Sequence, residues 1–234
     1  MAETNAVAKT NRFSAGVIAY RAGQYVESAQ AFRELTAERP ASGVLQNLGN
    51  AEWQSGRGGY AILAWEQALW LNPLDRNARN NLRFARETAQ LEAPELTWYE
   101  FASSWLPATA WAWLAGVTLW LAVGALVLPG FFRWRKSAWQ QAVAAFSFGA
   151  FLLCIPAHVG TLSRANLGFV LEKETPLRLT PTSGADNLTR LAAGDPARKV
   201  RTRGDFIFIR TSRSAGWIKQ NQFRVIGSNA KPGR

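Results

Sequence analysis

The stretch ATAWAWLAGVTLWLAVGALVLPGFF, residues 108–132, runs for 25 residues without one ionisable side chain. As a helix rising ~1.5 Å per residue it exceeds the ~30 Å hydrocarbon core of a bilayer. A short basic segment follows, Arg133-Trp134-Arg135-Lys136, and then a second run from Ser137 to Ser163 with no Asp, Glu, Lys or Arg. Two such runs side by side are rare in soluble cores. The sequence therefore predicts a membrane protein with a two-helix transmembrane hairpin: helices over 108–132 and 138–163, joined by a basic connector at 133–137.

Charge is segregated around this hairpin. Residues 1–107 carry 10 Lys/Arg against 11 Asp/Glu, the connector adds three cations, and residues 161–234 carry 14 against 5. Such asymmetry predicts separate modules facing separate surroundings. The single cysteine, Cys154, and the single histidine, His158, both lie in the second apolar run. Disulfides and Cys/His metal clusters are thereby excluded, and Cys–His or Ser–His–Asp catalysis has almost no partners to draw on. His158 reads as a polar lining or helix-end residue, with a proton relay as the minor reading. No enzyme, catalytic residue, metal or cofactor is expected.

Met1 to Thr10 is polar, lacks the apolar core of a signal peptide and reads as a disordered N-terminus, 1–10. From Asn11 the chain nearly repeats at an offset of 33: Gly16 and Gly49, Tyr20 and Trp53, Gly23 and Gly56, Phe32 and Trp65, Pro40 and Pro73. The second copy, Leu45-x-x-Leu48-Gly49-Asn50-Ala51-x-Trp53-x-x-Gly56 with Ala61, Trp65, Ala68-Leu69 and Asn72-Pro73, resembles a tetratricopeptide repeat, whose period is ~34 residues. Small residues let two antiparallel helices approach, and large ones fill the gaps between them. The first copy is weaker, with Ser28 where such repeats prefer alanine. A third element, Asp75 to Gln90, reads as a cap helix with Asp75 as its N-cap and Ala78, Leu82, Ala85 and Ala89 inward. The module spans 11–90.

On this resemblance, Tyr20, Asn47, Asn50, Trp53, Asn80 and Asn81 fall on or near the face that such repeats offer to a peptide. Asparagine amides pair with an extended backbone, and aromatics pack on its side chains. The alternative is that the aromatics pack helices and the asparagines are solvated. Residues 91–107 are acidic and aromatic, with Trp98, Phe101 and Trp105 on one helical face, and read as an interfacial aromatic segment. Packing of that face against the repeats is the competing reading. Cations near the spans place the connector in the cytoplasm and both termini outside, with the reverse orientation left open.

Beyond Arg164 the pattern alternates. Strands are predicted at Phe169–Lys173, Pro176–Thr180, Ala197–Thr202, Phe206–Thr211, Gly216–Lys219 and Phe223–Ile226, separated by glycine turns. Lys199, Arg201 and Arg203 are expected on one outer face. Pro176 to Pro181, Gly194-Asp195, Gly204-Asp205-Phe206 and Gly216-Trp217-Ile218 resemble the bacterial SH3-like domain, a small all-β barrel over 164–226. The resemblance implies a ligand face at Phe206 and Trp217, for cell-wall peptide or a protein segment. The basic surface also suits anionic lipid headgroups. Residues 227–234 read as a tail.

The whole order of parts resembles the BatE family of the bacterial aerotolerance operon: tetratricopeptide repeats, aromatic lead-in, hairpin, SH3-like barrel. Asn47-Leu48-Gly49-Asn50-Ala51, Leu71-Asn72-Pro73, Ala78-Arg79-Asn80-Asn81-Leu82 and Trp111-Ala112-Trp113-Leu114 carry it. The resemblance implies a non-enzymatic scaffold in the bacterial inner membrane, with the repeats and barrel periplasmic. Implied protein partners are von Willebrand factor A-domain membrane proteins and a MoxR-type ATPase, beside the lipid bilayer; nucleic acid is not expected. The alternative is an envelope sensor that binds cell-wall peptides through the barrel.

Overall fold

The computed structural model describes residues 2–132 and 137–227. Five helices come first: α1 (Ala2–Arg21), α2 (Tyr25–Glu38), α3 (Ser42–Gln54), α4 (Gly58–Leu71) and α5 (Arg76–Ala89). The ends of α2 recur 33 residues later as the ends of α4, and Arg21 at the end of α1 recurs as Gln54 at the end of α3. Two glycines make the turns of both pairs, Gly23 at φ +76° and Gly56 at φ +79°. Both sit in the left-handed region that a side chain disfavours.

The packing repeats as well. A Cβ on Gly16 would stand 2.9 Å from the Phe32 ring, and one on Gly49 would stand 2.5 Å from Trp65 Nε1. Each glycine thus admits an aromatic from the next helix. Ser28 is fully buried, and its hydroxyl donates to the Gly16 carbonyl at 2.8 Å, so the polar atom is satisfied. Asp75 caps α5 as expected, accepting from Ala78 N at 3.0 Å and from the Ser42 hydroxyl at 2.9 Å. Ala78, Leu82 and Ala85 are buried, whereas Ala89 in the last turn is exposed.

Residues 2–10, expected as a disordered N-terminus, lie within the bounds of α1, which begins at Ala2. Residues 2–15 contain neither glycine nor proline, so nothing stops the helix from extending backward.

The β part holds seven antiparallel strands: β1 (Leu167–Val170), β2 (Thr175–Arg178), β3 (Asn187–Leu191), β4 (Pro196–Arg203), β5 (Phe206–Arg210), β6 (Ala215–Lys219) and β7 (Phe223–Val225). Their order is β3-β2-β6-β5-β4-β1-β7, with a 3-10 turn at Gln220–Gln222 before β7. Val170, Leu177, Leu191, Ile207, Ile209, Ile218 and Phe223 fill the core. β3 escaped the sequence reading because four of its five residues are exposed, which leaves no alternation to detect.

The helices up to Glu95 and the chain from Arg164 onward form one compact unit, not the two separate modules expected. A Cβ on Gly59 would lie 2.4 Å from the Leu171 carbonyl oxygen and 2.6 Å from that of Val170. Gly194, at φ +94°, lies as tightly against Ile62 and Leu91. β1 is therefore buried at all four residues, and α4 is buried almost all round. The segment after α5 crosses the sheet: Glu92 pairs with Arg213 and accepts from the Ser212 hydroxyl, and Arg198 donates to the Glu95 carbonyl at 2.9 Å. The Arg164 guanidinium sits over the Trp70 ring at 5.2 Å.

The second unit, Leu96–Ser163, holds α6 (Trp98–Ser103), α7 (Ala108–Phe131) and α8 (Ala138–Arg164) up to its last residue. Thr97 and Glu100 form a capping box on α6, and Pro107 precedes α7. α7 and α8 are long and apolar enough to cross a membrane, and less than a quarter of either apolar stretch is buried. Trp113, Trp120, Phe131, Phe146 and Leu153 are bare. The shielded positions are Thr118, Ala122 and Pro129 on α7, and the small residues Ala144, Ser147, Cys154, Ala157 and Gly160 on α8. Hydroxyls inside the helices return to their own backbone, as Thr118 does to Leu114 O at 2.7 Å and Thr161 to Ala157 O at 3.0 Å. Trp98, Phe101 and Trp105 are exposed together, although only the first two lie in α6. Connector residues 133–136 and tail residues 228–234 lie outside the described residues.

Candidate functional site

The six residues expected on the helical face divide into two sets. Asn50 Oδ1 accepts from Trp65 Nε1 at 3.1 Å and from Asn81 Nδ2 at 2.7 Å, so one amide ties α3 to both α4 and α5. Trp53 packs on the same cluster, 6.0 Å from Trp65 and 6.1 Å from Phe84. Tyr20 stands apart, edge-on to Tyr25 at 5.3 Å, and Asn47 donates to Gly43 O within its own helix. Asn80 is exposed, with Arg83 Nη2 3.5 Å away. Asn50, Trp53 and Asn81 are thus brought together as helix-packing groups; Tyr20, Asn47 and Asn80 lie outside the cluster.

A residue that sequence reasoning passed over completes this surface. Phe84 is 59% exposed although it packs edge-on against Trp53. An aromatic off the Ala78–Leu82–Ala85 stripe was the available signal. The exposed part of this helical face is built around Phe84, Asn80 and the rim of Trp53.

The buried carboxylates of α1–α5, Glu52 and Glu66, are each paired with arginine. Glu52, 1% exposed, receives Arg33 at 2.7 Å and Arg57 at 2.8 Å. Glu66 pairs with Arg86. Two cations on one buried anion compensate its desolvation, and these groups serve the fold. Among the described residues, no group of three or more His, Cys, Asp or Glu is arranged to hold a metal.

In the sheet, Phe206 and Trp217, the pair expected to form a ligand face, are 8% and 5% exposed. Trp217 stands in register with Phe208 and with Arg178, and Phe208 with Arg201, giving one rung across four strands. Arg201 covers the Phe208 and Trp217 rings, 5.2 Å from each centroid. That stacking hides the indole. Lys199 also departs from expectation. A register shift between Lys199 and Arg201 sets Lys199 opposite buried Ile209, while Arg201 and Arg203 stay opposite Phe208 and Phe206. Asp195, in the glycine turn before β4, has its carboxyl pushed up chiefly by burial, and Glu92 adds to the shift. The Ala192 N–H and Arg213 oppose it.

Comparison with protein-family models, with curated proteins and with solved structures finds no match.

Proposed function

We propose that the chain is a non-enzymatic, membrane-anchored adaptor of the kind its resemblance to the BatE family implies. The observation that carries this reading is the pair of bare apolar helices, α7 and α8, set in a chain whose remainder is a paired-helix array packed on a small barrel. Bare tryptophan, phenylalanine and leucine along 24 and 27 residues are stable only in lipid. The 33-residue recurrence of turns and glycine–aromatic contacts supports a tetratricopeptide module. The strand sequence β7-β1-β4-β5-β6, with a 3-10 turn before β7 and a β2–β3 hairpin inserted, supports an SH3-like barrel.

In this reading the hairpin crosses the bacterial inner membrane with connector 133–136 in the cytoplasm. The helical array and barrel then act in the periplasm as one body. Partners are von Willebrand factor A-domain membrane proteins and a MoxR-type ATPase, recruited through the face around Phe84 and Asn80. The sensor alternative draws no support from Phe206 and Trp217, which are packed away.

Co-purification after detergent extraction tests the reading. Full-length protein recovers an A-domain partner, and Phe84→Ala with Asn80→Ala loses it while the circular dichroism stays unchanged. Undiminished recovery with that double variant rejects the helical face.

A further inference from the structure

The outward side of β4, β5 and β6 presents a second surface of distinct chemistry. Arg203, Phe206 and Lys219 stand in register across it, and Arg201, Phe208 and Trp217 form the neighbouring rung. Arg210 extends the same side of β5. Arg201, Arg203, Arg210 and Lys219 are exposed, and none of the four is ion-paired with a carboxylate among the described residues. Four unneutralised cations around packed aromatic rings repel one another, and an anionic surface relieves that repulsion. The stacked Arg201 keeps its guanidinium over the rings and offers the planar fork that suits phosphate oxygens.

The chain also fixes how far this surface can travel. α8 ends at Arg164 and β1 begins at Leu167, so only Ala165 and Asn166 intervene. The three residue steps from Arg164 to Leu167 span no more than ~11 Å. If α8 crosses the bilayer, β1 starts close to its end, and a cationic face tethered there is attracted by the negative surface potential of anionic lipid. We propose that the outer face of β4–β6 docks on anionic phospholipid headgroups of the bilayer that α7 and α8 cross. The inference rests on the reading of α7 and α8 as spans.

The test uses the full chain with Cys154→Ala and Val200→Cys, which places a single fluorophore at an exposed position of β4. The labelled protein is reconstituted into vesicles bearing a headgroup-attached quencher. Quenching should be about two-fold stronger in phosphatidylglycerol-rich than in phosphatidylcholine vesicles and fall to the neutral level in molar salt. Arg201→Gln, Arg203→Gln, Arg210→Gln and Lys219→Gln together should abolish the difference. Equal quenching in the two lipids overturns the inference whether or not that variant folds. A lipid dependence that survives the four substitutions also overturns it. Binding of a poly-glutamate peptide with lipid-independent quenching reassigns the face to an acidic protein. Vesicles that float without the chain defeat the span reading itself and this inference with it.

Discussion

Gly59 of α4 lies so close to Leu171 that a Cβ there would meet its carbonyl oxygen at 2.4 Å. The oxygen belongs to backbone and cannot swing aside. Gly59→Ala is expected to destabilise the unit that α4 and β1 share by about 1–3 kcal/mol. Because helices and sheet share this contact, amide exchange should quicken together in α4 and β5. Faster exchange confined to α4 would separate the two parts.

Asn50 predicts a contrast with its neighbour in sequence reading, Asn80. Removing the Asn50 amide strands the buried indole N–H of Trp65 and the Asn81 amide, so Asn50→Ala should cost about 1–3 kcal/mol in denaturant unfolding. Asn80 is exposed, and Asn80→Ala should stay within about 0.5 kcal/mol of wild type. Equal effects would contradict the division of the asparagines into structural and available groups.

The two repeat contacts give a matched pair. Gly16→Ala drives a methyl into the Phe32 ring and Gly49→Ala drives one into Trp65, each expected to lower stability by about 1–3 kcal/mol. Gly49→Ala should be the worse, since its clash is nearer and the indole is held by Asn50. Thermal unfolding of the two variants in one detergent decides the order.

Asp195 sets a pH dependence. Its folded-state pKa is raised, so between the unfolded and folded values the native state holds more protons than the unfolded chain. Stability from this group is therefore lost as pH rises through that window and is level above it. Asp195→Asn, which keeps an acceptor for the Ala192 N–H, should flatten this part of the stability curve and raise the melting temperature at neutral pH. A curve parallel to wild type would remove Asp195 as the cause.

The repeat was legible because glycine and aromatic positions carry the same contact twice, Gly16 with Phe32 and Gly49 with Trp65. The two long apolar helices were legible because charge is absent from long runs. Asn50 lies on the helical face, where pattern alone does not separate binding from packing; the clue lies in Trp65, since a buried indole N–H needs an acceptor. The union of helices with barrel was hidden because it depends on Gly59 meeting a backbone more than a hundred residues away, which no local pattern announces. Phe206 and Trp217 were singled out by the SH3-like resemblance, and a motif carries positions but not that Arg201 lies across the rings.

The most direct test of anchoring by α7 and α8 is extraction of the full chain from membranes at alkaline pH. The chain should stay in the lipid pellet and come out only with detergent. Release into buffer as a folded, monodisperse species, with Trp113, Trp120 and Phe146 shielded by protein, would contradict it.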